Sequence, residues 1–548
     1  MNYKFLPLFL LLQAPVCRAQ DTTQGEAAEP ASPLLRHLPT VVARQPWLST
    51  SNSAALTRHD STSIAQAELT LDWQRGGLTN FDGSSRCLQA DVQVEAIQRL
   101  SRRSVVRGGI GYTNTSSRDV TGSAFLPTDQ LRPFDIVEDS LTNAGNKHAD
   151  RYHLFGSVGT DLWKGYSVGV GLDYTSANYA KYKDLRHKNK LMQLRFSLSA
   201  YAPVLPWLSV GAAYHYLRHT ESLQFSTYGR SDKVYKSLID YGTFFGRVEQ
   251  FGNDGYTDKS REMPLFEDGH GISMQIGIDP LPELTITSQV QVARTTGYYG
   301  RPSPYTITYT HHQRHQASAS LSALWRQTAE NLYRLDFDYS YEDLSNQAST
   351  YRELIAPTGA TYYAYYDAVE TGDKWLRHAD ISATALLGLH GDVPLWHFSA
   401  SYKWLRRTQQ SYLYPYFRTQ ELQQRQAALH AVRSIFCNHG IWSLSADASF
   451  LWGSGTPYAD GVFTTQSHLT SAEPPHPFLW REYQYLTAPQ RILAAEVRYT
   501  FRPTFITESG RLATYVALRA SHRKANQQQP YSTGSDRTSL CASIGCTF

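Results

Sequence analysis

The 548-residue chain has no apolar run that reaches the roughly 20 residues a membrane-spanning helix needs. Cysteine is scarce, with five in all, and no Cys-x-x-Cys pair or cysteine set at metal-ligand spacing occurs. A disulfide-stapled scaffold and a structural zinc site are thereby excluded, and no metal or other cofactor is expected. Cys541 and Cys546 are five apart, so in a strand they point to opposite faces and cannot bridge each other. An excess of one charge is also missing. Fifty-two basic residues face 48 acidic ones for a net +4, which leaves no polyanion footprint and argues against a nucleic-acid partner. Length alone suggests three or four soluble domains at roughly 150 residues each. No break in composition after the first sixty residues or so supports such a division.

Aromatic residues are abundant: 36 Tyr, 22 Phe and 11 Trp. Their rings suit interfaces that are apolar on one side and wet on the other. From about residue 64 to the end, segments of roughly ten to sixteen residues alternate apolar and polar positions with period two. Tyr166, Val168, Val170, Leu172 and Tyr174 interleave with Ser167, Gly169, Gly171, Asp173 and Thr175. Met192–Leu198, Ile272–Ile278, Tyr333–Tyr341 and Trp442–Phe450 behave alike. One set of side chains suits lipid and the other a wet or hydrogen-bonded interior. About eighteen strands are predicted, to within about two; the range is 14–18 or slightly more. The fold class is all-β, a transmembrane antiparallel up-and-down β-barrel.

Residues 1–19 read as a secretory signal peptide, with Lys4, the apolar core Phe5–Leu12 and small residues Cys17 and Ala19 before the cut. A lipoprotein box at Cys17 is the rival, but Val16 stands where a small residue would be expected. Residues 20–63 are rich in Ala, Pro, Thr and Ser. They read as an irregular N-terminal extension, periplasmic or inserted in the lumen, with a docking segment around Thr40–Ala43. Residues 64–548 form the barrel.

The connections alternate between short turns, such as 163–165, 203–206, 280–282, 392–394 and 438–440, and long loops at 116–149, 227–268, 347–373 and 454–488. Short periplasmic turns and long extracellular loops are the expected ladder, and an even strand count leaves both termini periplasmic. Trp163, Trp207, Trp325, Trp396 and Trp442 flank short turns. Trp73, Trp375, Trp404, Trp452 and Trp480 lie toward long loops, as two membrane interfaces would select. Trp47 falls outside the repeat.

The last residues run Leu540-Cys541-Ala542-Ser543-Ile544-Gly545-Cys546-Thr547-Phe548. This ending resembles the terminal strand of bacterial single-chain outer-membrane β-barrel proteins, which closes on an aromatic carboxy-terminal residue. Cys546 departs from the aromatic often found two places earlier. The resemblance covers the chain from about residue 64 and is to an uncharacterised family of medium-sized barrels. It implies location in the bacterial outer membrane and contact with outer-membrane lipid. It also implies an assembly signal at Ile544, Cys546 and Phe548, read by the barrel-assembly machinery.

Four constellations bear on chemistry. Gly165-Tyr166-Ser167-Val168-Gly169 matches G-x-S-x-G, but a nucleophile elbow needs strand, sharp turn and helix, and this motif opens a long strand whose glycines read as lumen-side spacers. No catalytic residue is assigned. His311 and His315 share a face with Gln313 but lack a carboxylate or cysteine at matching spacing, so they read as a solvated rim. Arg334, Asp336, Asp338 and Glu342, joined by Arg195, Lys403, Glu496 and Arg498, form a lumen charge ladder. Tyr362, Tyr363, Tyr365 and Tyr366, with Tyr414 and Tyr416, are candidate ligand-binding residues, because their rings can stack on flat ligands.

An eighteen-strand wall encloses a water-wide lumen unless something fills it. The extension 20–63 and loops 116–149 and 227–268 are the segments able to do so. The leading expectation is a transport channel or the barrel subunit of an uptake or export assembly with an envelope transport partner. The second is a plugged barrel that binds a ligand or anchors a partner at the surface. The third is an outer-membrane hydrolase. The chain is expected not to be an enzyme.

Overall fold

The computed structural model describes residues 35–59, 63–138, 143–228, 234–251, 263–464, 472–503 and 512–548. The signal segment 1–19 and the start of the extension lie outside these residues.

Eighteen strands form one closed antiparallel sheet. The first half comprises Ile64–Arg75, Arg86–Arg99, Ser104–Val120, Gly145–Trp163, Tyr166–Lys181, Arg186–Leu205, Leu208–Ser226, Met263–Leu281 and Leu284–Gly300. The second half comprises Thr308–Arg326, Leu332–Ala348, Val369–His390, Val393–Leu413, Tyr416–Cys437, Gly440–Val462, Gln490–Phe501, Ala513–Ala525 and Asp536–Thr547. Each pairs with its neighbours in the chain, and the last pairs with the first, with Leu69 opposite Ile544 and Trp73 opposite Leu540. Phe548 and Ala65 then exchange backbone hydrogen bonds of 2.8 and 2.9 Å, which extends the seam to the final residue. Closure leaves no free edge where all eighteen strands overlap, so the ladder there is paired on both sides.

Alternation sorts the side chains. On Tyr166–Lys181, Tyr166, Val168, Val170 and Leu172 are exposed outward, while Ser167, Gly169 and Gly171 are buried inward. Leu69, Leu71, Val92, Ile110, Leu154, Leu198, Met274, Val290, Leu335, Phe398, Leu429, Leu493 and Leu518 continue the exposed apolar band around the wall. A continuous exterior of this kind matches hydrocarbon rather than water.

Several strands run further toward the long-loop end than their alternation suggests. Ser104–Val120 continues past 115, and Gly440–Val462, at 23 residues, past 453. The membrane needs only about 9–11 residues per strand, and beyond it neither face must be apolar, so the pattern fades while pairing persists. Some connections at that end are correspondingly short, among them 182–185 and the two-residue turn Tyr414–Pro415.

Three expectations change. The described part of the extension is not irregular: it forms helix α1 (Leu38–Ala43) and two 3-10 turns, Pro46–Ser49 and Ser53–Arg58. Loop 227–268 contains strands Tyr235–Asp240 and Gly246–Phe251, which join Asp135–Glu138 in a small separate sheet. Trp480 belongs to helix α2 (Pro477–Thr487), where it stacks 11° from the plane of Tyr531, and so lies off the strand wall.

Candidate functional site: a lumen occupied at both ends

The inward face is built from small and polar side chains, and near the short-turn end it receives residues 38–59. Five wall glycines make the room. A Cβ on Gly159 would stand 2.6 Å from the Ser53 carbonyl, and one on Gly277 would stand 2.7 Å from the Trp47 ring. At Gly169 it would overlap the Ala54 backbone, at Gly171 the Ser53 hydroxyl and at Gly211 the Asn52 amide. Trp47 packs edge-on against inward-facing Tyr201 at 4.9 Å, and the Arg58 guanidinium lies 5.0 Å above the same ring. Polar contacts join the segment to many strands. Ser51 N–H donates to Gln289 at 2.9 Å, Asn52 Nδ2 to the Ala200 carbonyl at 2.8 Å, and Ala54 N–H to the Ser199 hydroxyl at 2.9 Å. Arg58 pairs with Asp161 at 2.9 Å. Arg107 and Arg334 donate to the Leu48 and Ala43 carbonyls, each at 3.1 Å. Leu38, Val41, Leu48 and Leu56 bury against Ile64, Ile97 and Val105.

Ser167 is held within this contact. Its hydroxyl lies 2.8 Å from that of Thr57 and also bonds Asp161. The residues after it continue as strand, so no elbow forms. The motif's Gly169 is one of the five glycines that receive the segment.

The middle of the lumen is charged with both signs in neighbouring pairs. Arg334 meets Asp336 at 2.8 Å, Lys403 meets Asp380 at 3.2 Å, and Arg107 meets Glu95 at 2.8 Å. Arg519 spans Asp447 at 2.9 Å and Glu496 at 3.6 Å, while Arg498 lies 3.9 Å above the Tyr515 ring, whose hydroxyl donates to Glu68 at 2.8 Å. Asp338 faces Asp380 across the strand pair, and Arg195 faces Asp173. A cavity of about 480 Å³ beside α1 is lined by Glu68, Glu95, Arg107 and Arg334, so the N-terminal segment does not fill the cross-section.

Glu342, expected in the same ladder, belongs to a different layer. Near the long-loop end, residues 121–138 and 235–251 fold inward over the wall. Glu342 accepts from the Leu131 amide at 3.2 Å and Glu221 from the Leu126 amide at 2.9 Å. Arg314 donates to the Leu131 carbonyl at 2.6 Å, Lys374 to the Arg132 carbonyl at 2.7 Å, and Lys147 to the Ser123 carbonyl at 2.6 Å. Arg314 also lies within 3.2 Å of Glu267 and 3.0 Å of Glu342. Wall charges thus satisfy loop backbone groups that would otherwise be buried without partners. Phe125, Phe134, Ile136, Ile239 and Tyr299 form the apolar centre of this cap.

A tight turn follows Tyr235–Asp240. Asp240 accepts from the amides of Gly242 at 2.8 Å and Phe245 at 3.1 Å, and Thr243 and Phe244 adopt positive φ. Burial pushes the Asp240 carboxyl up to about 6, although Lys374 and these amides pull the other way. Phe244 meets Phe81 at 4.9 Å and Phe478 of α2 at 6.2 Å, and Arg407 clasps Glu482 of α2 at 2.7 and 2.9 Å.

The candidate tyrosines divide between two connections. Tyr362, Tyr363 and Tyr365 lie on the hairpin of Tyr351–Ile355 and Thr361–Tyr365, where Tyr351 packs against Tyr363 at 5.7 Å and Tyr365 at 6.1 Å. The Tyr365 hydroxyl bonds the Thr308 amide at 2.8 Å, while Tyr366 is exposed. Tyr414 is exposed on the turn before Tyr416, which opens the next strand. His311, Gln313 and His315 face outward from the wall, and no metal-holding group of His, Cys, Asp or Glu occurs among the described residues.

Among solved structures, the alcaligin outer-membrane receptor of Bordetella pertussis is 8% identical, with 89% of this chain and 77% of that one aligned at a TM-score of 0.40. The ferric preacinetobactin receptor of Acinetobacter baumannii is 8% identical over 88% and 80%, at 0.38. The toluene transporter of Ralstonia pickettii is 10% identical over 91% and 92%, at 0.32. Scores this low carry nothing about what the chain does. No curated protein matches it. Residues 53–548 match the model described as "Family of unknown function (DUF6850)", and the chain belongs to that family.

Proposed function

We propose that this member of the DUF6850 family is a gated transport barrel of the bacterial outer membrane, in which residues 38–58 act as the movable gate. The observation that carries the reading is the fit between that segment and Gly159, Gly169, Gly171, Gly211 and Gly277. The wall is hollowed for a piece of its own chain. Many of the polar contacts are single hydrogen bonds, each worth about 1 kcal/mol net, so they can be made and broken one at a time. Beyond the segment lies a charged chamber suited to a polar solute.

In this reading residues 1–19 direct export, both termini face the periplasm and the long loops face outward. Ile544, Cys546 and Phe548 form the strand that the assembly machinery reads. A periplasmic transport partner would act on the chain preceding Leu35, whose carbonyl accepts from Asp392 in a short turn. Tyr362, Tyr363, Tyr365, Tyr366, Tyr414 and Tyr416 offer rings to solute at the outer mouth.

Solute flux into liposomes tests the proposal. The full chain should admit small polar solutes slowly, and a chain lacking residues 36–58 should admit them many times faster, with both showing the heat-modifiable migration of a folded barrel. Equal, negligible flux from both would instead favour a permanently plugged barrel that binds or anchors at the surface. The apolar centre and buried ion pairs of the upper cap support that second reading.

A further inference from the structure

On the exterior, five adjacent strands from Leu208–Ser226 to Leu332–Ala348 form a shallow groove of about 510 Å³. Tyr214 and Tyr341 wall it, and Ile272, Val292 and Ala317 form its apolar floor. His270, Arg294 and His315 stand directly opposite one another in register at its long-loop end. Arg294 is exposed and fixed by Gln313 at 2.8 Å, and the Tyr214 hydroxyl bonds His270 at 2.7 Å. Asp343 faces His315 on the next strand, leaving Arg294 and His270 as the open donors.

We infer that this groove binds a phosphorylated, multiply acylated glycolipid of the lipid A class. A phosphate sits on Arg294 and His270, and acyl chains lie along Ile272, Val292 and Ala317. Three facts argue for this occupant. Arg294, flanked in register by His270 and His315, sits where the apolar band ends, at the height of a headgroup. A guanidinium offers paired donors that match phosphate oxygens. Strands stand about 4.8 Å apart, so the three that carry the floor span roughly 10 Å, wider than one acyl chain needs. The choice of leaflet rests on the proposed orientation, with long loops outward; the binding chemistry does not depend on gating.

The test is native mass spectrometry of the detergent-purified full chain with added lipid A, dephosphorylated lipid A or phosphatidylglycerol. Lipid A should form a one-to-one adduct. Arg294→Gln with His270→Gln should weaken it about tenfold or more, as expected for loss of charge-assisted bonds, while Arg425→Gln elsewhere on the wall leaves it unchanged. An adduct insensitive to the double variant, or equally strong with dephosphorylated lipid A or phosphatidylglycerol, overturns the site. Orientation is read separately by labelling Tyr414→Cys in intact cells with an impermeant thiol reagent, in a chain whose native cysteines are serine. Labelling supports the outer leaflet, and its absence, with the variant folded, overturns that assignment whatever the lipid result.

Discussion

The hydroxyl groups of Thr57 and Ser167 meet at 2.8 Å inside the barrel, joining residues 110 apart in sequence. The Ser167 hydroxyl is therefore part of a seam between wall and inner segment, with Asp161 as its other side-chain partner. Ser167→Ala should leave the barrel folded and lower the segment's hold by about 1 kcal/mol. Limited proteolysis after Arg58 reads that change, and lipid or peptide hydrolysis should not depend on the substitution.

Gly169→Leu should evict the segment without breaking the strand. Overpacking of about 1–3 kcal/mol multiplies the displaced fraction roughly fivefold to 150-fold. Tryptic cleavage after Arg44 and Arg58 should rise with it, since cleavage tracks the open population when reclosing is fast. Unchanged cleavage would mean that the segment is not seated on Gly169.

Arg314→Leu should loosen the upper cap and spare the barrel. Arg314 is buried between Glu267 and Glu342 and holds the Leu131 carbonyl. Its loss leaves two buried carboxylates short of counter-charge, a penalty of about 3–5 kcal/mol for breaking such a pair. Hydrogen exchange should quicken over residues 121–138 while strand amides remain protected.

Acid should tighten the turn at Asp240. Its carboxyl is raised by burial from the ordinary 3.8 to about 6. The folded cap therefore binds more protons than the released one between those values. This contribution to stability is full below about pH 4 and is lost as pH rises through 6. Asp240→Asn keeps an acceptor for the Gly242 and Phe245 amides and removes the titration. Protease resistance of residues 234–251 should fall between pH 4.5 and 7.5 in the native chain and stay flat in the variant.

The wall was legible because lipid imposes a rule on every second residue, as at Val168, Val170 and Leu172. Strand ends were less legible because that rule lapses outside the membrane, where polar Arg186 and Lys188 remain in strand. Insertion of the extension was among the expectations, but where residues 47–54 seat on the wall was not legible, for a different reason. Gly159, Gly211 and Gly277 look like any other inward spacers, and what they accommodate lies more than 100 residues away in Trp47–Ala54. Trp47 was the available signal: it was the one tryptophan outside the two belts. Glu342 shares alternation with Asp336 and Asp338, yet its partner is a loop amide that no strand pattern specifies. Helix α2 announced itself only locally, through His476 capping Phe478 and Pro477 at the first turn.

The most direct measurement locks the seam. Thr57→Cys with Ser167→Cys, in a chain whose native cysteines are replaced by serine, places two thiols where the hydroxyls now touch. In a planar bilayer, intermittent opening steps should appear under reducing conditions, disappear on oxidation and return on reduction. Identical traces in both redox states, with the disulfide shown to have formed, would contradict a gate made of residues 38–58.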